Sequence, residues 1–369
     1  MNTEKQLRWG ILGTAEIAQK NWQAIRNSGN ATLVAVASRT LDRSRQFVDL
    51  CQGHVPFPSV PRALGSYQEL LAADDVDAVY IPLPTGLRKQ WVIRAAQAGK
   101  HVLCEKPCAS SVSDLKEMID ACEQNGVQFM DGVMFMHSTR LDQIRQVLED
   151  GKSVGRIKRI AFGFSFYAPD AFHTGNIRVH SELEPHGCLG DLGWYCIRFA
   201  LWTLEGQLPS RVTANLISQS GRADSPGRVP TEISAELMFE GGVSASFYCS
   251  FLVENQQWVN ISGTKGYLQV PDFVLPNFGS QMAFEVNNAS YQVTGCDFNM
   301  EPNVRRFAVP EYSNSHVRAQ ETHLFRNFSR QVQSGERNRE WPELALKTQK
   351  VMNAVYESAM SDGRPINPA

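Results

Sequence analysis

The sequence predicts two domains of different class: an α/β domain with a doubly wound parallel sheet over residues 1–131, and an α+β domain with a large, mainly antiparallel, open-faced sheet over residues 132–369. Three observations carry this division. Short apolar strands alternate with amphipathic helical stretches at crossover spacing as far as about residue 131. Beyond that point the apolar residues fall on every second position, the period of strands with one buried face. A chain of 369 residues also exceeds what a single hydrophobic core comfortably serves.

The first domain begins with an apolar strand at 7–12 (LRWGIL), ended by Gly13 and followed directly by a helix from Glu16 to about Arg26. A second buried strand at 32–37 (TLVAVA) leads into a helical run over 41–51. Residues 52–64 hold Gly53, Pro56, Pro58 and Pro61 and read as a loop. Ser66 caps a helix over 67–73, and 78–83 (AVYIPL) is continuously apolar, as a strand covered on both faces should be. A helix over 87–98 stops at Gly99, a strand follows at 101–104, and a helix over 113–124 ends at Asn125-Gly126 before a last strand at 127–130.

In the second domain a helix over 141–148 precedes the alternating Ile160, Phe162, Phe164 and Phe166. Ile233, Ala235, Leu237 and Phe239 then meet a Gly241-Gly242 turn and return through Val243, Ala245, Phe247, Cys249 and Phe251, a meander that 258–261 and 267–270 extend. Closing helices over 320–332 and 344–359 carry apolar stripes at helical spacing.

Composition excludes several classes of partner. With 43% hydrophobic and 20% charged residues the chain is of ordinary globular type. Its 36 basic and 38 acidic side chains leave a formal charge of −2, no field for gathering nucleic acid or an anionic membrane, so neither is expected as a partner. Any anionic ligand must be held by local groups. The start, MNTEKQLRWGILG, lacks the apolar run and small-residue cleavage site of a secretory leader, and no run approaches the roughly 18 apolar residues of a membrane span; a cytoplasmic location is expected. Eight scattered cysteines, with Cys104 and Cys108 the nearest pair, show no zinc spacing, so reduced thiols and no metal are expected.

The turn after the first strand reads Gly13-Thr14-Ala15-Glu16-Ile17-Ala18, a variant of the glycine-rich fingerprint that sets a pyrophosphate over a helix N-terminus. Ala15 replaces the glycine that normally lets the backbone approach the phosphates. A tight strand-ending turn would explain Gly13 alone, but its place between the first strand and the first helix points to a dinucleotide, with Gly13, Thr14, Ala15 and Ile17 lining it and the domain of Rossmann type. The second strand ends in Ser38-Arg39-Thr40 where an NAD enzyme offers a carboxylate to the ribose. Ser38, Arg39 and Arg43 instead suit a 2′-phosphate, so NADP(H) is the expected cofactor.

Two further segments bear chemistry. Lys106, in His101-Val102-Leu103-Cys104-Glu105-Lys106-Pro107, ends a strand at the carboxyl edge of the sheet, where open α/β folds bind ligands. Gly187 to Ile197 (GCLGDLGWYCI) reads as a glycine-rich loop running into a helix, with Asp191 and Tyr195 four residues apart on one face. A phenol beside an ammonium ionises more readily, so Lys106 and Tyr195 could form a proton-transfer pair. Asp191 as a helix cap and Tyr195 as a core aromatic is the other reading that the residues allow.

The motifs GILGTAEIA, PLPTGLR (82–88), CEKPCA, GDLGWYCI and ISGTKGYLQV, in this order, resemble those of the Gfo/Idh/MocA oxidoreductase family over nearly the whole chain. Within it the sequence is most similar to the branch of glucose-fructose oxidoreductase and the dimeric dihydrodiol and NADP-xylose dehydrogenases. The resemblance implies hydride transfer between a nicotinamide and a carbohydrate-like substrate, with Lys106 as the catalytic lysine and Glu105 and Pro107 shaping the nicotinamide pocket. It places Tyr195 where many members carry a histidine, matches Asp191 to an acidic residue one turn earlier, and sets Pro82, Leu83 and Pro84 along the nicotinamide. Arg178 matches a basic residue often near substrate. Arg88 replaces a frequent histidine, and His186 replaces a common glycine and could narrow or polarise the pocket; both are candidate substrate contacts. A homodimer or dimer of dimers is implied through the open sheet face. A non-catalytic dinucleotide-sensing regulator and a nicotinamide-dependent glycoside-cleaving enzyme are the competing classes.

Overall fold

The computed structural model describes residues 6–368; the ends of the two expected domains, residues 1 and 369, lie outside these. Contacts divide the chain into two compact units. The first comprises the chain up to His137 with His180–Pro185 and Asn314–Gln349, and the second comprises Ser138–Val179, His186–Ser313 and the chain from Lys350 on.

The first unit holds β1 (Leu7–Leu12), α1 (Glu16–Ser28), β2 (Ala31–Ala37), α2 (Leu41–His54), β3 (Arg62–Leu64), α3 (Tyr67–Leu71), β4 (Ala78–Ile81), α4 (Thr85–Gln97), β5 (His101–Cys104), α5 (Val112–Gln124) and β6 (Phe129–Asp131). The six strands form one parallel sheet in the order β3-β2-β1-β4-β5-β6, so the strand order reverses direction beside β1. All four residues of β4 are buried, which explains its unbroken apolar run. β3 corrects the expected loop over 52–64: three residues pairing with Ala35, Val36 and Ala37 are too few to leave a period in the sequence, and α2 runs on to His54.

The second unit holds α6 (Arg140–Glu149), β7 (Ile157–Tyr167), α7 (Asp170–Gly175), α8 (Trp194–Thr203), β8 (Arg211–Ser220), β9 (Val229–Phe239), β10 (Val243–Ser250), β11 (Leu252–Gly263), β12 (Tyr267–Val270), β13 (Met282–Asn287), β14 (Ser290–Thr294), β15 (Asp297–Glu301) and β16 (Val304–Val309). Eight of these strands make one sheet in the order β16-β13-β12-β11-β7-β10-β9-β8. It is not a plain meander, because β7 at its centre runs antiparallel to β11 but parallel to β10. One face buries Ile160, Phe162, Phe164, Leu237, Phe247 and Ile261. α8 packs on this face, with the Phe199 ring 5.9 Å from that of Phe162; every residue from Trp194 to Leu201 is buried, so the helix has no solvent side to advertise. The opposite face carries Arg159, Trp258, Asn260, Tyr267 and Glu285. β14 and β15 pair only with each other and form a separate hairpin that exposes Tyr291, Val293, Phe298 and Met300.

Two helices follow, α9 (Gln320–Gln333) and α10 (Glu340–Ala359). α9 was expected with the second sheet but packs in the first unit. Phe325 meets Trp9 on β1 edge-on at 5.0 Å and Phe328 meets it tilted at 5.1 Å, and the Trp9 Nε1 donates to Ser329 Oγ at 3.2 Å. Each of these fully buried aromatics contributes about 2–3 kcal/mol by leaving water. An amphipathic stripe declares that a helix has a partner, not which one.

Candidate active site

In the first unit, β1 hands the chain to α1 through Gly13 at φ +119°, a left-handed conformation that favours glycine. A Cβ there would also lie 3.0 Å from Leu83 Cδ2, so the turn and the loop after β4 touch. Ala15 is the N-cap of α1 and has no side-chain oxygen to occupy the N–H groups of the first turn, which leaves the positive end of the helix dipole directed at the turn. Thr14 Oγ1 lies 3.5 Å from Ser38 Oγ, joining the first turn to the end of β2. Ser38 is buried, whereas Arg39 and Arg43 are exposed. Tyr67, at the start of α3, has its phenol pushed up by burial and pulled back by the positive charges of Arg39 and Arg43, which places it in the same electrostatic neighbourhood.

β5 ends at Cys104 and delivers Glu105 and Lys106 at the carboxyl edge of the sheet. Glu105 Oε1 accepts from the Tyr80 hydroxyl at 2.6 Å, and its Oε2 accepts from the Lys106 N–H at 3.1 Å. Burial, followed by the Glu105 charge, holds the Tyr80 phenol well above its usual range, so it stays a donor. The carboxylate therefore orients the main chain of Lys106. Pro84 is the N-cap of α4, and behind it Arg88 is 5% exposed. Arg88 Nε donates to Leu83 O at 2.6 Å, and Nη1 donates to Thr85 Oγ1 at 3.0 Å and to Pro107 O. Glu184 accepts from Thr85 N at 3.1 Å and from Thr85 Oγ1 at 2.6 Å, a carboxylate seated at a helix N-terminus.

In the second unit the expected loop over 187–193 is helical. A π-helical turn, Leu189–Gly193, runs directly into α8. Gly187 takes φ +48°, and a Cβ there would fall 2.1 Å from Pro230 O. At Gly193 an added Cβ would meet Leu189 Cδ1 at 2.7 Å, a contact that the leucine side chain can relieve by shifting. Such wide turns recur at functional sites because they re-aim side chains on one helix. Arg178 Nε meets Asp191 Oδ2 at 2.9 Å, with the aspartate the more buried of the two. Tyr195 is 8% exposed and its ring lies 5.9 Å from that of Phe164.

The N-terminal part of the sequence matches the oxidoreductase family with an NAD-binding Rossmann fold, Gfo/Idh/MocA, over residues 7–133, and the next part matches the family's C-terminal domain over residues 141–269. The chain belongs to the Gfo/Idh/MocA oxidoreductase family. It is 30% identical to an NADP(+) D-xylose 1-dehydrogenase from Haloferax volcanii over 96% of this chain and 97% of that one. Trans-1,2-dihydrobenzene-1,2-diol dehydrogenase from Bos taurus is 32% identical over 72% of this chain and 74% of its own. A 3-ketoreductase from Actinomadura kijaniata, solved with NADP and TDP-benzene, superposes with a TM-score of 0.78 at 27% identity, covering 96% of this chain and 98% of that one. Structures of that reductase include one variant with a tyrosine changed to phenylalanine and another with a lysine changed to alanine.

Two of the expected substrate contacts, Arg88 and His186, are buried. Arg88 is committed to backbone carbonyls inside the first unit, because a guanidinium this buried must be satisfied by internal acceptors. His186 is 3% exposed, packs edge-on against Tyr356 at 5.1 Å, and has an Nδ1 with no hydrogen-bond partner among the described residues. It lies in the interior of the second unit. Tyr80 and Glu184 were not anticipated; nothing local marks them. Arg178 and Asp191 were expected separately, and the structure pairs them. Among the described residues no group of at least three His, Cys, Asp or Glu side chains could hold a metal, and no helix is long and apolar enough to cross a membrane.

Burial lowers the His186 pKa from 6.5 to about 4. The unfolded chain therefore binds the proton more readily than the folded one between these values, and stability falls as pH drops from about 6.5 to about 4, by about 3 kcal/mol in all. Urea unfolding at pH 7 and pH 4.5 should show a smaller acid loss for His186→Asn than for the parent. Equal losses would clear this histidine of the effect.

Proposed function

We propose that this protein is an NADP(H)-dependent oxidoreductase that interconverts a secondary alcohol and a carbonyl on a sugar, polyol or dihydrodiol. The observation that carries the reading is the anchoring of Lys106 at the carboxyl end of β5, in the same sheet whose β1–α1 turn has the left-handed glycine and open helix N-terminus suited to a pyrophosphate. The Gly13 cradle, which a methyl would crowd against Leu83, fits the dinucleotide, and Ser38 with Arg39 and Arg43 fits its 2′-phosphate. The relatives named as an NADP(+) xylose dehydrogenase, a dihydrodiol dehydrogenase and a 3-ketoreductase solved with NADP support the same reading.

When bound, the nicotinamide supplies or accepts the hydride. Lys106 polarises the substrate oxygen with its ammonium and stabilises negative charge developing there. Tyr195 gives or takes the proton at that oxygen through its Oη. Asp191, paired with Arg178, orients the substrate hydroxyl or the tyrosine. The protein acts in the cytoplasm as a homodimer or dimer of dimers, which light scattering on the purified chain checks.

Arg39→Ala should raise the KM for NADPH roughly 10- to 100-fold, the weight of about 1.5–3 kcal/mol for hydrogen bonds to a charged group, while leaving the KM for NADH little changed. Steady-state kinetics with both cofactors decides it; a parent that prefers NADH would refute the assignment. Screening aldoses, ketoses, polyols and aromatic dihydrodiols by reduced-nicotinamide absorbance tests the reaction itself. Binding of NADPH with no turnover of any of them would favour a dinucleotide-sensing regulator. Release of sugar from an aryl glycoside with no net absorbance change would favour a glycoside-cleaving enzyme.

A further inference from the structure

Arg88 is the most heavily committed cation near Lys106. A guanidinium that is 5% exposed has lost most of its hydration, a cost that only fixed acceptors offset. Its acceptors come from two different loops. Nε reaches Leu83 O, in the loop after β4, and Nη1 reaches Pro107 O, one residue beyond Lys106. Thr85 Oγ1 accepts a further bond from Nη1 at 3.0 Å and donates its own hydrogen bond to Glu184 Oε2 at 2.6 Å. Glu184 Oε1 stands 3.9 Å from Nη2 and supplies the opposing charge.

The carboxylate is itself held in place. Gly86 N donates to Leu183 O at 3.1 Å, and a Cβ on Gly86 would fall 2.0 Å from Glu182 O, so only glycine lets the segment His180–Pro185 lie this close to α4. The planar fork of arginine is what allows one side chain to bind two carbonyls in fixed directions; the single ammonium of a lysine has no such geometry.

We propose that Arg88 is a positioning residue: it clamps the carbonyls of Leu83 and Pro107 together, with Glu184 as counter-charge, and so sets Lys106 in register with the loop of Pro82, Leu83 and Pro84. The inference rests on the functional reading of Lys106 given above. It assigns Arg88 a role through Lys106 and no contact with substrate.

The test is the reactivity of Lys106 toward acetic anhydride across pH, read by peptide mass spectrometry with the exposed Lys116 as internal standard. The parent, Arg88→Ala and Arg88→Lys proteins are compared with and without saturating NADP+. In the parent, NADP+ shields Lys106. In Arg88→Ala the shielding is lost and the pH midpoint of acetylation moves, although fluorescence titration gives an unchanged dissociation constant for NADP+. Added guanidinium ion restores both readouts in Arg88→Ala, and Arg88→Lys restores neither. Unaltered shielding and midpoint in folded Arg88→Ala overturn the clamp. Should that variant not fold, Thr85→Val and Glu184→Gln carry the same measurements, with smaller shifts expected in the same direction and no shift in either counting against the clamp. Absence of shielding in the parent is a different result, because it removes the functional reading of Lys106 and the clamp with it.

Discussion

Lys106→Met should lower kcat by roughly 10³-fold while leaving NADPH binding intact, a loss of about 4 kcal/mol of transition-state stabilisation. Methionine keeps the length and most of the apolar stem of lysine and removes only the ammonium. The surrounding backbone has anchors other than that ammonium: Glu105 Oε2 holds the Lys106 N–H at 3.1 Å, and Arg88 holds the next carbonyl. The variant should therefore fold and titrate with NADPH like the parent. Turnover is measured on the first substrate found by the absorbance screen, and binding by quenching of protein fluorescence. Full activity in a correctly folded Lys106→Met protein would end the catalytic case for this residue.

Tyr195→Phe should lower kcat by roughly 10²- to 10⁴-fold, the span of a lost general acid or base. The phenylalanine ring retains the packing against Phe164 and the buried site on α8, so thermal stability should change little. On the proposed mechanism the loss is the proton transfer at the substrate oxygen. A variant that keeps the rate would move that transfer to another group.

The alternating strands and helices of the first unit were legible because parallel strands buried on both faces leave unbroken apolar runs, as β4 does. β3 was not, since a three-residue edge strand carries no period. β13 to β16 left little signal for a related reason: β14 and β15 are almost wholly exposed, β13 alternates over only six residues, and β16 does not alternate at all. The parallel pairing of β7 with β10 and the packing of α9 on β1 are choices of partner, which periodicity does not encode.

The site divides along the same line. Gly13, Ser38 and Lys106 stand in short motifs whose spacing has a mechanical meaning, and each lies at the end of a strand of the parallel sheet. The groups that hold them are distant in sequence: Tyr80 is 25 residues from Glu105, and Thr85 is 99 from Glu184. Such contacts are created by the sheet order and leave no local trace. The interior surroundings of Arg88 and His186 left no trace in the sequence, because a polar residue near a motif looks the same whether it faces a ligand or the core.

The hairpin of β14 and β15 has a practical bearing on all of these measurements. Seven of the eight cysteines are buried, and the remaining one, Cys296, sits exposed at the hairpin's tip. Thiol-directed dyes or spin labels will thus attach to the unmodified chain at one address, well separated in sequence from every group assigned to catalysis. Unfolding can be followed from the opposite side: as the seven hidden thiols open to solvent, the count of modified sulfurs rises from one toward eight.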